Sequence, residues 1–104
     1  MQLYVIDWSF QNSEDQLLAT NEFCDYLNKG KIDQYIDGFE LKYMVHTPQD
    51  GSGIIICKAQ DIKKVFNLIK MWRDNYSILF NIKPALTNEE LLKLNSSEEY
   101  WDKN

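Results

Sequence analysis

The residue types that most often carry chemistry are scarce in these 104 residues. There is a single histidine, His46, and there are only two cysteines, Cys24 and Cys57. The ligand spacing of a zinc site is therefore absent, and we expect neither a metal nor a cofactor. Both cysteines sit inside apolar patterns, which is typical of structural thiols in a reducing compartment and not of a disulfide.

Glycine and proline are also rare, with four and two residues, and no window approaches the roughly 18 apolar residues of a membrane span. The N-terminal residues lack the basic and apolar segments of a signal peptide. These absences exclude fibrous and long disordered chains. They predict a cytoplasmic protein that does not interact with membranes.

Acidic residues outnumber basic ones by 16 to 11, which gives a net charge of −5. Nucleic acid is therefore not expected as a partner, because phosphate neutralisation needs clustered Lys and Arg. Hydrophobic residues make up 44 % of the chain, enough for one core. We expect a single domain over residues 1–94 and a polar tail over residues 95–104.

The first half of the chain shows one strand and one helix. Residues 2–8 predict a strand with apolar side chains on both faces. Ser13 and Gln16 form a capping box that predicts a helix over residues 14–29, with Gly30 placed to end it. The apolar stripe expected on this helix comprises Leu17, Thr20, Phe23, Cys24 and Leu27.

Residues 39–58 predict a hairpin that follows a polar connection over residues 31–38. A period of two indicates a half-buried strand from Phe39 to His46, and Pro48-Gln-Asp-Gly51 has the chemistry of a turn. In strict alternation one face of that strand carries Phe39, Leu41, Tyr43 and Val45, and the other carries Glu40, Lys42, Met44 and His46.

Two helices and a strand complete the predicted elements. Asp61 can cap a helix that ends near Asp74-Asn75, and a strand over residues 78–83 precedes Pro84, whose missing N–H suits an edge. Thr87-Asn-Glu-Glu90 is a second capping box and predicts a short helix over Leu91, Leu92 and Leu94.

The order of these elements predicts a ferredoxin-like βαββαβ plan of the α+β class, with a short C-terminal helix added. Right-handed crossovers place both long helices on one face of a four-stranded antiparallel sheet, with the first and third strands in the middle. The other face has no cover, although the run Ile54-Ile55-Ile56 demands burial on both sides. We therefore predict a homodimer in which two sheets face each other.

Three short motifs carry a resemblance to a known family. Val-Ile-Asp7, Gly38-Phe-Glu-Leu, and Trp72-Arg-Asp74 leading to Pro84 resemble a small bacterial family of unknown function within the dimeric α/β-barrel superfamily. The likeness covers roughly residues 1–92. Members of that family tend to carry a second tryptophan one turn before Trp72 and a glutamate near the end of the third strand. This chain has Leu68 and Lys58 at those positions.

The resemblance implies a dimeric α/β-barrel, and three hypotheses about function follow. The first is a homodimer that binds a small apolar ligand between its two sheets. The second is a cofactor-independent oxygenase-like or isomerase-like enzyme with Asp7 or His46 as acid or base, and only likeness of fold supports it. The third is a protein-interaction subunit that uses the acidic first helix and the tail residues Tyr100 and Trp101.

The candidate site residues each have a structural interpretation beside the functional one. His46 and Cys57 do not form a catalytic pair, because the hairpin register that pairs His46 with Gly53 separates them by about 13 Å. His46 alone is either a proton shuttle or a cofactor ligand on the barrel side of the sheet, or a partly exposed residue near a turn. Asp7 is either a buried carboxylate at the cavity mouth or a strand-end residue that accepts backbone N–H bonds.

Aromatic side chains are the remaining candidates. Trp8, Phe10, Tyr43, Phe80 and Trp72 can line a pocket for a flat apolar ligand, although aromatics at such spacing are usually core residues. The cavity between the sheets is expected to be lined by Tyr4, Trp8, Met44 and Phe80.

Overall fold

The computed structural model describes residues 1–30 and 35–96 and gives a mixed α+β fold with three helices. Part of the predicted connection over residues 31–38, and the tail beyond residue 96 with Tyr100 and Trp101, lie outside the described residues. The elements in chain order are β1 (Gln2–Phe10), α1 (Ser13–Asn28), β2 (Tyr35–Ile36), β3 (Phe39–Thr47), β4 (Ser52–Ala59), α2 (Ile62–Asn75), β5 (Ile78–Ala85) and α3 (Asn88–Asn95).

The strands form one antiparallel sheet in the order β2-β3-β4-β1-β5. Its four long strands lie side by side in the order β3-β4-β1-β5. The two central ones, β1 and β4, are the first and third long strands along the chain, as predicted. Strand β5 is an edge strand, so the missing N–H of Pro84 breaks no bond on its outer side. The short β2 pairs with the start of β3 around Gly38, whose φ of 79° suits glycine.

The β3–β4 hairpin closes where the sequence indicates. Thr47 pairs with Ser52, and His46 pairs with Gly53, which confirms the predicted register at the turn. The amide of Gly51 donates to the carbonyl of Pro48, and the φ of Gly51 is 65°, a conformation that a side chain would strain.

A β-bulge at Lys42 changes the predicted faces of β3. Leu41 pairs with Cys57 but Tyr43 pairs with Ile56, so one residue of β3 is inserted between two successive partners on β4. An inserted residue reverses the inward and outward alternation beyond it. The expected grouping of β3 is therefore wrong, and the helix-covered face instead carries Phe39, Leu41, Met44 and His46.

The two faces of the sheet are unequal. The core lies on the face where Tyr4, Ile6 and Trp8 of β1 are buried, and α2 packs against it through the buried residues Val65 and Ile69. The sequence predicts that Tyr4 and Trp8 face the sheet of a partner subunit. That assignment is wrong, because helices of the same chain cover this side.

The opposite side, which we call the open face, is covered by neither α1 nor α2. Neighbouring strands place apolar residues together there, since Val5 pairs with Ile56, and Ile56 pairs with Tyr43. Several of these side chains are largely exposed. The apolar residues of the open face are Leu3, Val5, Tyr43, Val45, Ile54, Ile56 and Leu79.

The helix ends follow their capping residues. Asp61 accepts the backbone N–H groups of Lys63 and Lys64 at the start of α2, and the predicted capping box between Thr87 and Glu90 is complete at the start of α3. The cap of α1 is Asn12, which accepts the Asp15 N–H at 2.7 Å. The expected cap at Ser13 is thus wrong by one residue, because the Asn12 amide oxygen fills the same role.

Helix α1 is packed loosely on the sheet. Among its residues, all of which the structure describes, only Ala19 is buried. Leu17, which the sequence placed on the inner stripe, is 62 % exposed and points away from the sheet. Space therefore remains between α1 and the strands below it.

Candidate functional site

A cleft of about 360 Å³ lies between α1, α2 and the covered face of the sheet. This volume falls within the range of roughly 300–1,000 Å³ that is typical of small-ligand sites. Helix α1 contributes one face at helical spacing, through Gln16, Thr20, Phe23 and Leu27. Side chains on this face of α1 extend toward the sheet, and the cleft is the space left between the α1 backbone and the strands.

Aromatic rings form a continuous series along the cleft. The Trp8 indole meets the His46 imidazole edge-on with 5.3 Å between ring centroids, and Phe23 lies 5.2 Å from His46. Phe23 in turn meets the Trp72 indole edge-on at 5.9 Å. Such arrangements match the preferred geometries of aromatic pairs, so each ring restrains the next.

Gly53 makes the first contact of this series possible. It lies on β4 between Trp8 of β1 and His46 of β3. A Cβ atom added at Gly53 would come within 3.0 Å of the Trp8 ring. The absence of a side chain therefore lets the indole lie across β4 and reach the imidazole on the far strand.

His46, one of the two candidate catalytic residues, lines this cleft. Desolvation by the surrounding rings lowers its pKa below the ordinary value, so the imidazole is neutral at pH 7. Within residues 1–30 and 35–96 its side chain has ring contacts but no hydrogen bond and no ion pair. Both ring nitrogens are thus available to a ligand.

Asp7, the other candidate, lies on the open face, so the sheet separates it from the cleft. It pairs across the strands with Ile54 and Asn81, and its carboxylate is 3.1 Å from the Lys83 ammonium. The side chain is 40 % exposed. The structure therefore does not bring Asp7 and His46 together.

The two cysteines occupy different environments. Cys57 is fully buried in the core, where burial raises the pKa of its thiol to about 11 and keeps it uncharged. It pairs with Leu41, well along the ladder from His46. Cys24 is exposed and lines the cleft from α1.

The predicted lining residues are found at three different places. Trp8, Met44 and Phe80 line the cleft between helices and sheet, together with Phe10 and Trp72. Tyr4 is buried in the core, outside the cleft lining, and Tyr43 is on the open face. Phe23 was missed as a site residue, although its spacing from Gln16, Thr20 and Leu27 on a helix was a usable signal.

Polar contacts hold α1 in place beside the cleft. The Gln16 side-chain amide donates to the Pro48 carbonyl at 2.7 Å, and the Tyr76 hydroxyl donates to the Glu22 carboxylate at 2.7 Å. The backbone N–H of Ser77 donates to Asp15 at 2.8 Å. These three hydrogen bonds attach α1 to the rest of the domain, although only Ala19 of the helix is buried.

No three His, Cys, Asp or Glu side chains in residues 1–30 and 35–96 are grouped to hold a metal ion. None of the described helices combines the length and the apolar character that a membrane span needs.

The fold and site together define a small α+β domain with an aromatic-lined cleft beneath its first helix. Residues 2–98 match the family described as a domain of unknown function (DUF3303), and the chain belongs to that family. No significant match was found among curated proteins or among solved structures.

Proposed function

We propose that this protein is a small-ligand-binding homodimer of the dimeric α/β-barrel type, which holds a flat apolar molecule in the cleft of each subunit. The observation that carries the proposal is the cleft itself, whose walls combine Trp8, Phe23 and Trp72 around about 360 Å³. Wide apolar walls with a few convergent polar groups are characteristic of small-molecule sites. The ligand thus lies between helices and sheet, and not between two sheets.

The homodimer rests on the open face. Soluble monomers rarely expose contiguous apolar patches of more than a few hundred Å², and larger ones mark interfaces. A second copy is the simplest cover, because a two-fold axis brings the same patch of both chains together. The strand order, with β1 and β4 between β3 and β5, is consistent with the ferredoxin-like subunit of such barrels.

Enzyme chemistry has weaker support. General acid–base catalysis needs a positioned group with its partner in reach, and no described carboxylate orients His46. We therefore place binding before catalysis.

The test uses naphthalene as a probe, because it is flat, apolar and uncharged. We expect saturable binding by calorimetry or saturation-transfer NMR. Thr20→Trp should abolish it, because the new ring fills the cleft from α1. Leu17→Trp is the matched control on the outer side of the same helix and should bind as the unmodified protein does. Equal binding by both variants, or no binding at all, would refute the proposal.

A further inference from the structure

The described lining of the cleft carries no charged side chain. Its lining includes residues from α1, α2 and all four long strands, yet none of the described lining residues is Lys, Arg, Asp or Glu. A charged ligand would lose its hydration there without gaining a partner, which carries a high free-energy cost. The cleft therefore favours an uncharged molecule, even though the chain as a whole is acidic.

Polar groups on the lining are few, and some are already engaged. The Gln16 amide donates to the Pro48 carbonyl, and the Ser52 hydroxyl lies 2.7 Å from the Thr47 hydroxyl. Within the described part of the chain, side-chain polar atoms without a hydrogen bond are left on five lining residues: Trp8, Thr20, Cys24, His46 and Trp72. These five residues define where a polar group of the ligand can bond.

His46 is the best placed of the five. Its ring contacts both Trp8 and Phe23, so a planar ligand against these rings has its edge beside the imidazole. A neutral imidazole offers one donor and one acceptor, which suits either a hydroxyl or a carbonyl. Thr20 and Cys24 lie outside the series of ring contacts, and the Trp8 and Trp72 indoles can only donate.

We propose that the cleft selects an uncharged planar aromatic molecule with one hydroxyl or carbonyl group, and that His46 determines this selectivity by hydrogen-bonding that group. This inference rests on the proposed function, since it names the ligand class of the same site. His46 acts here as a binding residue and needs no catalytic partner.

The experiment compares naphthalene, 2-naphthol and 2-naphthoate by calorimetry at neutral pH. We expect 2-naphthol to bind roughly two- to tenfold more tightly than naphthalene, the effect of one added hydrogen bond. We expect 2-naphthoate to bind at least about tenfold more weakly than 2-naphthol, because its charge has no partner.

Three variants assign the effect to a residue. His46→Phe keeps the ring contacts but has no nitrogen, so it should bind both uncharged probes equally. His46→Gln should restore part of the preference, because its amide can donate and accept. Leu17→Ala, on the outer side of α1, is the control and should keep the full preference.

Failure of this inference is distinguishable from failure of the proposed function. Equal affinity of the unmodified protein for naphthalene and 2-naphthol would overturn the inference while leaving the binding site intact. A preference that survives in His46→Phe, or 2-naphthoate binding as tightly as 2-naphthol, would also overturn it. If no probe binds, both fall. Thermal unfolding of each variant checks that it is folded.

Discussion

The indole of Trp8 meets the imidazole of His46 edge-on, with 5.3 Å between the ring centroids. The two residues belong to strands that are not neighbours, because β4 lies between β1 and β3. Their contact links the buried core to the mouth of the cleft. It sets the position of the one cleft residue that can titrate near neutral pH.

The contact between these rings depends on Gly53. Gly53→Ala places a methyl group within 3.0 Å of the Trp8 ring, which must then leave its position. We expect a loss of about 1–3 kcal/mol in the free energy of unfolding, as for other overpacked sites, measured by urea denaturation. Ser9→Ala, on the adjacent strand and the open face, is the control and should change it by less than about 0.5 kcal/mol. Equal losses of unfolding free energy for the two substitutions would show that the Trp8 indole does not depend on the missing side chain at Gly53.

His46 should make stability depend on pH. Its pKa is lowered in the folded protein, so the unfolded chain binds a proton first as the pH falls. The folded state therefore loses stability as the pH falls through about 6.5, the ordinary value for the imidazole. As the pH decreases through this range, we expect the unfolding free energy of the unmodified protein to fall relative to that of His46→Phe. Parallel pH curves for the two proteins would contradict the lowered pKa.

The bond between Tyr76 and Glu22 should stabilise the attachment of α1. Tyr76→Phe removes the donor, and we expect a loss of about 0.5–1.5 kcal/mol at neutral pH, by urea denaturation. Tyr26→Phe is the comparison, because its hydroxyl is 3.5 Å from the same carboxylate and should contribute less.

The stabilisation by this hydrogen bond should be lost at high pH. Hydrogen bonding to Glu22, with burial and nearby negative charge, raises the pKa of Tyr76 to about 12. Because the folded pKa is raised, the stabilisation is complete below the ordinary tyrosine value of about 10 and is lost as the pH approaches 12. A difference titration of tyrosinate absorbance between the unmodified protein and Tyr76→Phe measures this. A midpoint near 10 would contradict the bond.

A charge on the open face should separate the proposed dimer. Val45→Lys places an ammonium group beside Ile54 on that face, whereas Phe66→Lys changes a similarly exposed residue on α2. We expect sedimentation to give twice 12.3 kDa for the unmodified protein and for Phe66→Lys, and 12.3 kDa for Val45→Lys. An unmodified protein that sediments as a monomer at micromolar concentration would contradict the homodimer.

Local rules explain why much of the fold could be predicted. The capping residues Asp61 and Thr87 and the turn at Pro48–Gly51 act within a few residues, so their positions follow from the sequence alone. The order of the strands follows from the connection rules. The start of α1 was misplaced by one residue because Asn12 and Ser13 are both good caps.

The site could be predicted only in part. Trp8, Met44, Phe80 and His46 were candidates from their residue types, and the structure places all four on one cleft. The bulge at Lys42, which turns His46 toward the helices, has no sequence signal as clear as a glycine in a turn. The side of the sheet that α1 and α2 cover was also not predictable, since both faces of β1 are apolar.

The most direct test of the account is a crystal structure of the protein with 2-naphthol at saturating concentration. We expect the naphthol ring in the cleft against Phe23 and Trp72, with its hydroxyl within about 3.2 Å of an imidazole nitrogen of His46. Naphthol bound on the open face between two sheets, or a cleft that stays empty at saturation, would contradict it.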